Sequence, residues 1–409
     1  MKRALLIILL VSFANAEFSY RGYLKSFYIT HKIPGYMNTD EQYSSQGIQR
    51  VRGEVSWKPV SAVSLNAAYS LAANTGGSTL TDMDALEMDP PRGWRFDDMQ
   101  NPVYPHNDSV SPNFQLTQNL DRLYLRLSAS FGDLYIGRQA IAWGTARAFP
   151  CVDVVAPFSF DALDTEERQG VDAAMIRIPI GLMNTVEAGY IAGQDFDFDA
   201  SAVYIHPKFY VLNTDIGLTA MKHRKNMLYG VDIARTIGGA GVWAEASWHD
   251  VERAELDLSG FVSIPENLRW IASKKKTEFG RISGGADYSF GGELYTSLEA
   301  HFNGAGYAET DVLGMQLNPA FLVGIVSNTG RLYLAPMASY QITPLLTGTL
   351  QAYWNLDDMS SALVPMLEFS AAQNVNIGAG AYIGVGEGDF VTEYGSYPDM
   401  GYINMRWYF

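Results

Sequence analysis

A single cysteine stands in a chain of 409 residues, which excludes a disulfide framework within the chain and covalent haem attachment of the C-x-x-C-H type. Basic residues are scarce as well. The 29 Lys and Arg face 44 Asp and Glu, a net charge of -15, whereas nucleic-acid binding needs a basic surface to neutralise phosphates. No run of about 20 apolar residues occurs, so helical membrane spans are excluded, and the mean hydropathy close to zero agrees. What the chain does have is 47% apolar and 13% aromatic residues, with 38 Gly, 24 Tyr, 20 Phe and 8 Trp. That excess of buriable surface excludes disorder and favours strands and tight turns over long helices.

The amino terminus carries an export signature. Lys2 and Arg3 form a basic region, Ala4 to Val11 a short apolar one, and Ala14-Asn15-Ala16 the small-x-small pattern of a processing site. Cleavage before Glu17 predicts a signal peptide over 1–16 and a mature domain over 17–409, without the cysteine that would lipidate it.

The mature chain is organised by a period of two. Gly401, Ile403, Met405, Trp407 and Phe409 alternate with Tyr402, Asn404, Arg406 and Tyr408, and only an extended strand separates two such faces. Leu123, Leu125 and Leu127 alternate with Arg122, Tyr124 and Arg126 in the same way, as do Val51 and Val55 with Arg50, Arg52 and Glu54. Short turns are expected near Lys58-Pro59, Gly132-Asp133, 180–184, 212–215, 237–240, Gly291-Gly292, Thr343-Pro344 and Gln373-Asn374. Longer polar connections alternate with them. The series predicts about 18 strands, with sixteen also compatible, and leaves both chain ends on the short-turn side.

Which face is wet decides the architecture. An outward band of Trp, Leu, Ile and Phe would aggregate in water, and a soluble barrel this wide could not fill its lumen with side chains. In lipid the same band is required, and an open sheet edge is not tolerated. Aromatic residues also stand beside the turns, at Trp57, Phe131, Phe290, Trp407 and Phe409, where interfacial girdles form. The fold expected is all-β: an antiparallel transmembrane β-barrel with short periplasmic turns and long extracellular loops.

The leader, the alternating last strand and the terminal Phe409 resemble those of Gram-negative outer-membrane β-barrel proteins, whose assembly machinery recognises such an ending. Size, strand number and a long third loop make the chain most similar to porin-like channels of sixteen to eighteen strands. The stretch Gly137-Arg138-Gln139, Trp143-Gly144, Asp153-Val154-Val155, Pro157-Phe158 is similar to a strand-and-loop signature that recurs in porin-like proteins. The resemblance implies a bacterial outer-membrane location, contact with lipid and lipopolysaccharide, and passage of small hydrophilic solutes.

If apolar positions face lipid, the lumen receives Arg50, Arg52 and Glu54 from the second strand, Arg122 and Arg126 from the fourth and Arg138 from the fifth. Opposite them come Glu187, Asp232, Glu245, Asp287, Glu293, Glu299 and Glu368, with Arg281 and Arg406 as exceptions. Basic and acidic walls would then face each other across a channel, an arrangement that selects ions. Pairing between neighbouring charges is the plainer alternative for each residue. The connection from Gly144 to Gln169 mixes apolar residues that need burial with charges that need partners. Folding inward would satisfy both, with Arg147 and Asp153 in or near a constriction; packing over the outer rim is the alternative.

Other chemistry is sparse. The histidines are dispersed without an i, i+4 metal pair, and no G-x-S-x-G elbow occurs. Asp82, Asp84, Glu87 and Asp89 lack the spacing of a calcium loop, and Cys151 reads as an inert thiol. Lys274-Lys275-Lys276 reads as a solvated run or a contact for lipopolysaccharide phosphates. The function expected is a passive, non-enzymatic outer-membrane channel without metal or cofactor, with a homo-oligomer as one arrangement. Two rivals remain: a barrel sheath around a partner such as a multihaem cytochrome, and an outer-membrane hydrolase with a Ser/His or Asp/His pair at the rim.

Overall fold

The computed structural model describes residues 17–33, 42–76, 94–95, 103–105, 113–158, 160–251, 278–307, 320, 325–388 and 391–409. The leader over 1–16, the acidic stretch from Asp82 to Asp89, His106 and the run from Lys274 to Lys276 lie outside the described residues.

Eighteen strands follow one another in chain order: β1 (Glu17–Ile33), β2 (Gln42–Val60), β3 (Val63–Gly76), β4 (Phe114–Ala129), β5 (Gly132–Gln139), β6 (Val171–Ile180), β7 (Asn184–Ile191), β8 (Ala202–Val211) and β9 (Thr214–His223) form one half. The other half is β10 (Asn226–Ile237), β11 (Ala240–Asp250), β12 (Glu278–Phe290), β13 (Leu294–Asn303), β14 (Leu332–Thr343), β15 (Leu346–Asn355), β16 (Ser361–Ala372), β17 (Val375–Val385) and β18 (Asp399–Tyr408). Each strand pairs with its chain neighbours, and β18 returns to β1 with Trp407 opposite Leu24, so the sheet closes. At the seam Gly22 and Phe409 exchange backbone hydrogen bonds of 2.8 and 2.9 Å. Closure leaves no sheet edge for lipid to meet.

The turns fall where the alternation of the sequence breaks, with two displacements. β2 runs through Lys58-Pro59 to Val60, because a register shift between Trp57 and Val60 absorbs the proline that cannot donate to a ladder. The turn expected at Gly132-Asp133 lies at Ser130-Phe131, and Gly132 opens β5.

The two faces of the wall differ as lipid requires. Ile282, Leu350 and Ile403 are 55%, 55% and 59% exposed on the outside, whereas Glu245 and Glu299 on the inside are 1% and 2% exposed. Phe131, Phe290, Trp407 and Phe409 are exposed beside the short turns, and Tyr229, Trp248 and Trp354 at the opposite ends of their strands, giving two aromatic girdles. Among the described residues no helix is long and apolar enough to cross a membrane; strands do the crossing.

The inward face is not uniformly polar. Towards the long loops it carries Phe27, Ile29, Tyr204, Met221, Leu228, Phe279 and Tyr333, all buried. Tyr204, Met221, Leu228 and Phe279 cluster with Trp94, Val152, Val154, Val155, Ile325 and Val326 of the connections, and Tyr333 with Phe149 and Tyr394. The apolar core therefore sits inside the extracellular half of the barrel, and the short-turn half keeps the hydrophilic lining.

Candidate functional site

The connection between β5 and β6, residues 140–170, makes a circuit of the inner wall. Its first limb lies on β10 to β13. Gly230 of β10 leaves room for it, since a β-carbon there would stand 2.6 Å from Val152 Cγ2. The limb is caught by two carboxylates. Glu245 on β11 accepts the N–H groups of Thr145 at 2.7 Å, Ala146 at 2.9 Å, Cys151 at 2.5 Å and Val152 at 2.6 Å. Glu299 on β13 accepts those of Arg147 at 2.8 Å, Ala148 at 3.1 Å and Phe149 at 2.8 Å, together with Trp243 Nε1 at 2.8 Å. Every residue from Thr145 to Val152 is held in this way except Pro150, which has no N–H to give. An irregular segment buried against a wall must satisfy its backbone donors somehow, and ionised acceptors do so more strongly than neutral ones.

The Arg147 side chain leaves this limb half exposed. Its guanidinium lies 4.1 Å from the Trp243 ring centroid, pairs with Asp287 at 2.5 Å and donates to Tyr295, while the side chain stays 48% exposed. Asp153 goes the other way. It is buried, its carboxylate meets Arg168 from the far end of the same loop, and Arg168 also donates to the Ala156 carbonyl at 2.7 Å. Burial pushes the Asp153 carboxyl up to about 6 against the opposing pull of Arg168. Cys151 is fully buried, and the same desolvation pushes its thiol up to about 11.

The second limb returns along the other side. Phe160 packs among Tyr353, Tyr394 and Tyr397 with ring centroids 5.0 to 5.5 Å apart. Asp164 accepts from Lys25 at 2.8 Å and Arg50 at 3.3 Å, Glu166 pairs with Lys25 and accepts from Tyr408 at 2.9 Å, and Glu167 meets Arg52 at 3.3 Å. Asp121 on β4 accepts the Gly170 N–H at 3.0 Å and Arg52 at 3.0 Å. A register shift in the pairing of β4 with β3 makes this possible, because it turns Asp121 and Arg122 inward together.

The expected site residues thus fall into distinct settings. Arg50 and Arg52 of β2 meet acidic residues of the loop, and Arg122 bonds the Arg168 carbonyl at 2.5 Å and pairs with Asp121 at 2.7 Å. Arg138 is locked by two 2.8 Å bonds to Asp172, and Arg126 pairs with Asp133 at 2.8 Å. Glu54 bridges Arg21 and Arg52, and Glu368 pairs with Arg406. Most of these charges pair with a near neighbour; the loop's donor-rich limb covers Glu245 and Glu299, and its acid-rich limb meets Arg50 and Arg52. Glu293 belongs to the turn between β12 and β13 and not to the wall. Lys25, Asp121, Asp172 and Trp243 were not singled out from the sequence. Each alternates with apolar or unremarkable neighbours; the acidic residues of the loop point to a cation such as Lys25, and nothing in the pattern points to the other three.

A Ser/His contact does occur, though not at the rim. Ser283 Oγ lies 2.8 Å from His301 Nδ1 and 3.2 Å from Cys151 Sγ, all buried beneath the loop, and the Ser283 hydroxyl donates to the Phe149 carbonyl at 2.6 Å.

No protein-family model matches the sequence, and no curated protein matches it. Solved structures do match in fold. The outer membrane protein OpdK from Pseudomonas aeruginosa is 10% identical with a TM-score of 0.57, covering 96% of this chain and 98% of its own. OccAB4 from Acinetobacter baumannii is 10% identical with a TM-score of 0.53, covering 96% and 97%, and OccK9 from Pseudomonas aeruginosa matches at the same identity and TM-score over 97% and 98%. The chain shares the fold of these proteins.

Proposed function

We propose that the protein is a passive outer-membrane channel for small hydrophilic solutes or ions, and that residues 140–170 form its constriction with Arg147 at the narrow point. One observation carries the reading: the loop is fixed inside the lumen by Glu245 and Glu299 while leaving the Arg147 side chain half exposed above a hydrophilic short-turn half. Solutes cross by diffusion, because ion pairs and hydroxyls replace part of their hydration along the wall. The inward charges named above line or brace this path, and residues 1–16 are removed on export.

The rival readings gain less support. The sheath needs a vacant lumen, yet the chain's own loops fill the extracellular half with apolar side chains. The hydrolase needs an accessible pair, whereas Ser283 and His301 are covered and the serine proton is engaged by a carbonyl. Insertion of the purified protein into planar bilayers tests the proposal. Stepwise conductance is expected, and a folded, inserted barrel that carries no current would reject it.

A further inference from the structure

A half-open recess in the inner wall lies at the short-turn end, away from the loop. The inner faces of strands β2 to β6 line a cavity of 510 Å³, within the roughly 300–1,000 Å³ span of small-molecule sites. Its cations are Lys58, Arg126 and Arg177, and each already has a carboxylate. Lys58 meets Glu17 at 3.2 Å, Arg126 meets Asp133 at 2.8 Å, and Arg177 donates to Glu187 through Nη2 at 2.8 Å and Nε at 3.1 Å. The local charge is balanced, so neither an anion nor a cation gains a large net attraction there.

What the cavity offers is donors beside acceptors. Arg126 and Arg177 keep 43% and 46% of their side chains exposed and donate towards the cavity, while Asp133 and Glu187, 23% and 11% exposed, neutralise them from behind. Ser64 and Asn66 on β3 line the same space, and hydroxyl and amide groups both donate and accept. A vicinal diol has the matching requirement, because each of its hydroxyls is donor and acceptor at once. The apolar element is Tyr135, whose ring has the Arg126 and Arg177 guanidinium carbons 5.6 and 5.5 Å from its centroid. The Tyr124 ring stands 6.2 Å away, tilted by 43°. Two tilted tyrosine rings give a carbon skeleton surfaces to pack on while their hydroxyls stay polar.

We propose that this cavity is a binding site for a neutral polyhydroxylated solute, of the mono- or disaccharide class. The proposal rests on the channel reading and deepens it by naming a solute class. A solute that hydrogen-bonds the guanidinium, hydroxyl and amide groups of this wall is favoured over analogues that lack hydroxyls.

Calorimetric titration of the folded barrel in detergent with maltose, potassium phosphate and benzoate tests it, with planar-bilayer conductance measured on the same preparation. Saturable maltose binding is expected, weakened about tenfold by Tyr135→Ala and several-fold by Asn66→Ala, which removes one amide and leaves every ion pair in place. Binding of phosphate or benzoate without maltose, binding of none of the three by a folded barrel, or maltose binding unchanged in both variants would each overturn the site. A conducting barrel that ignores maltose overturns the site and leaves the channel standing; a barrel that binds maltose but passes no current does the reverse.

Discussion

Gly144 and the Glu245 carboxylate are in direct contact: a β-carbon added at Gly144, whose φ is +96°, would stand 2.4 Å from Glu245 Oε2. The entry to the inward loop is therefore shaped for that carboxylate. Glu245→Ala strands the N–H groups of Thr145, Ala146, Cys151 and Val152 at about 1–3 kcal/mol each. The loop is then expected to leave the wall while the barrel stays closed. Trypsin should cleave after Arg147 in the variant and not in the parent, with the barrel still resisting detergent unfolding. Equal resistance of the loop in both proteins would count against the anchor.

Arg147 is half exposed and held by Asp287 and Trp243, and the proposed constriction places its charge on the permeation path. Arg147→Glu should move the reversal potential in a salt gradient towards cation selectivity, with Arg147→Ala between the two. Loss of one half-exposed ion pair costs at most about 1 kcal/mol, so both variants should fold. Identical reversal potentials in all three would remove Arg147 from the permeation path.

Acidity should tighten the loop. The Asp153 carboxyl rises from an ordinary 3.8 to about 6, because burial disfavours its charged form. A raised value means that the docked loop binds a proton the released loop lacks. The contribution is complete below the ordinary value and disappears as pH climbs through about 6. Loop proteolysis should accordingly be slower at pH 4 than at pH 7, and Asp153→Asn should flatten the difference. Faster proteolysis at pH 4 would show the opposite linkage.

Cys151 reports on docking without perturbing it. Burial pushes its thiol up to about 11, so little thiolate exists at neutral pH and no path leads to it. A water-soluble maleimide should leave the folded parent unlabelled for hours and label Glu245→Ala readily. Prompt labelling of the parent would mean that the first limb is not packed as described.

Much of the fold is legible because the lipid face obeys a single rule. Leu123, Leu125 and Leu127 are apolar for the same reason as Ile403 and Met405, and hydrocarbon permits no exceptions, so strands and turns stand out. The inner face obeys several rules at once. Tyr204, Met221 and Leu228 point inward because the loops cover them, which a lumen wet throughout would not allow. The clustering of arginines on β2, β4 and β5 was visible too, but their partners were not. Asp164 reaches Arg50 across more than a hundred residues, and Glu245 spends its charge on backbone N–H groups, which no residue pattern records.

Deleting residues 148–163 and recording single-channel conductance addresses the central claim most directly. The inserted, deleted barrel should conduct severalfold more than the parent, since the segment that crosses the lumen has gone while the wall remains. Equal conductance in parent and deletion would contradict the account.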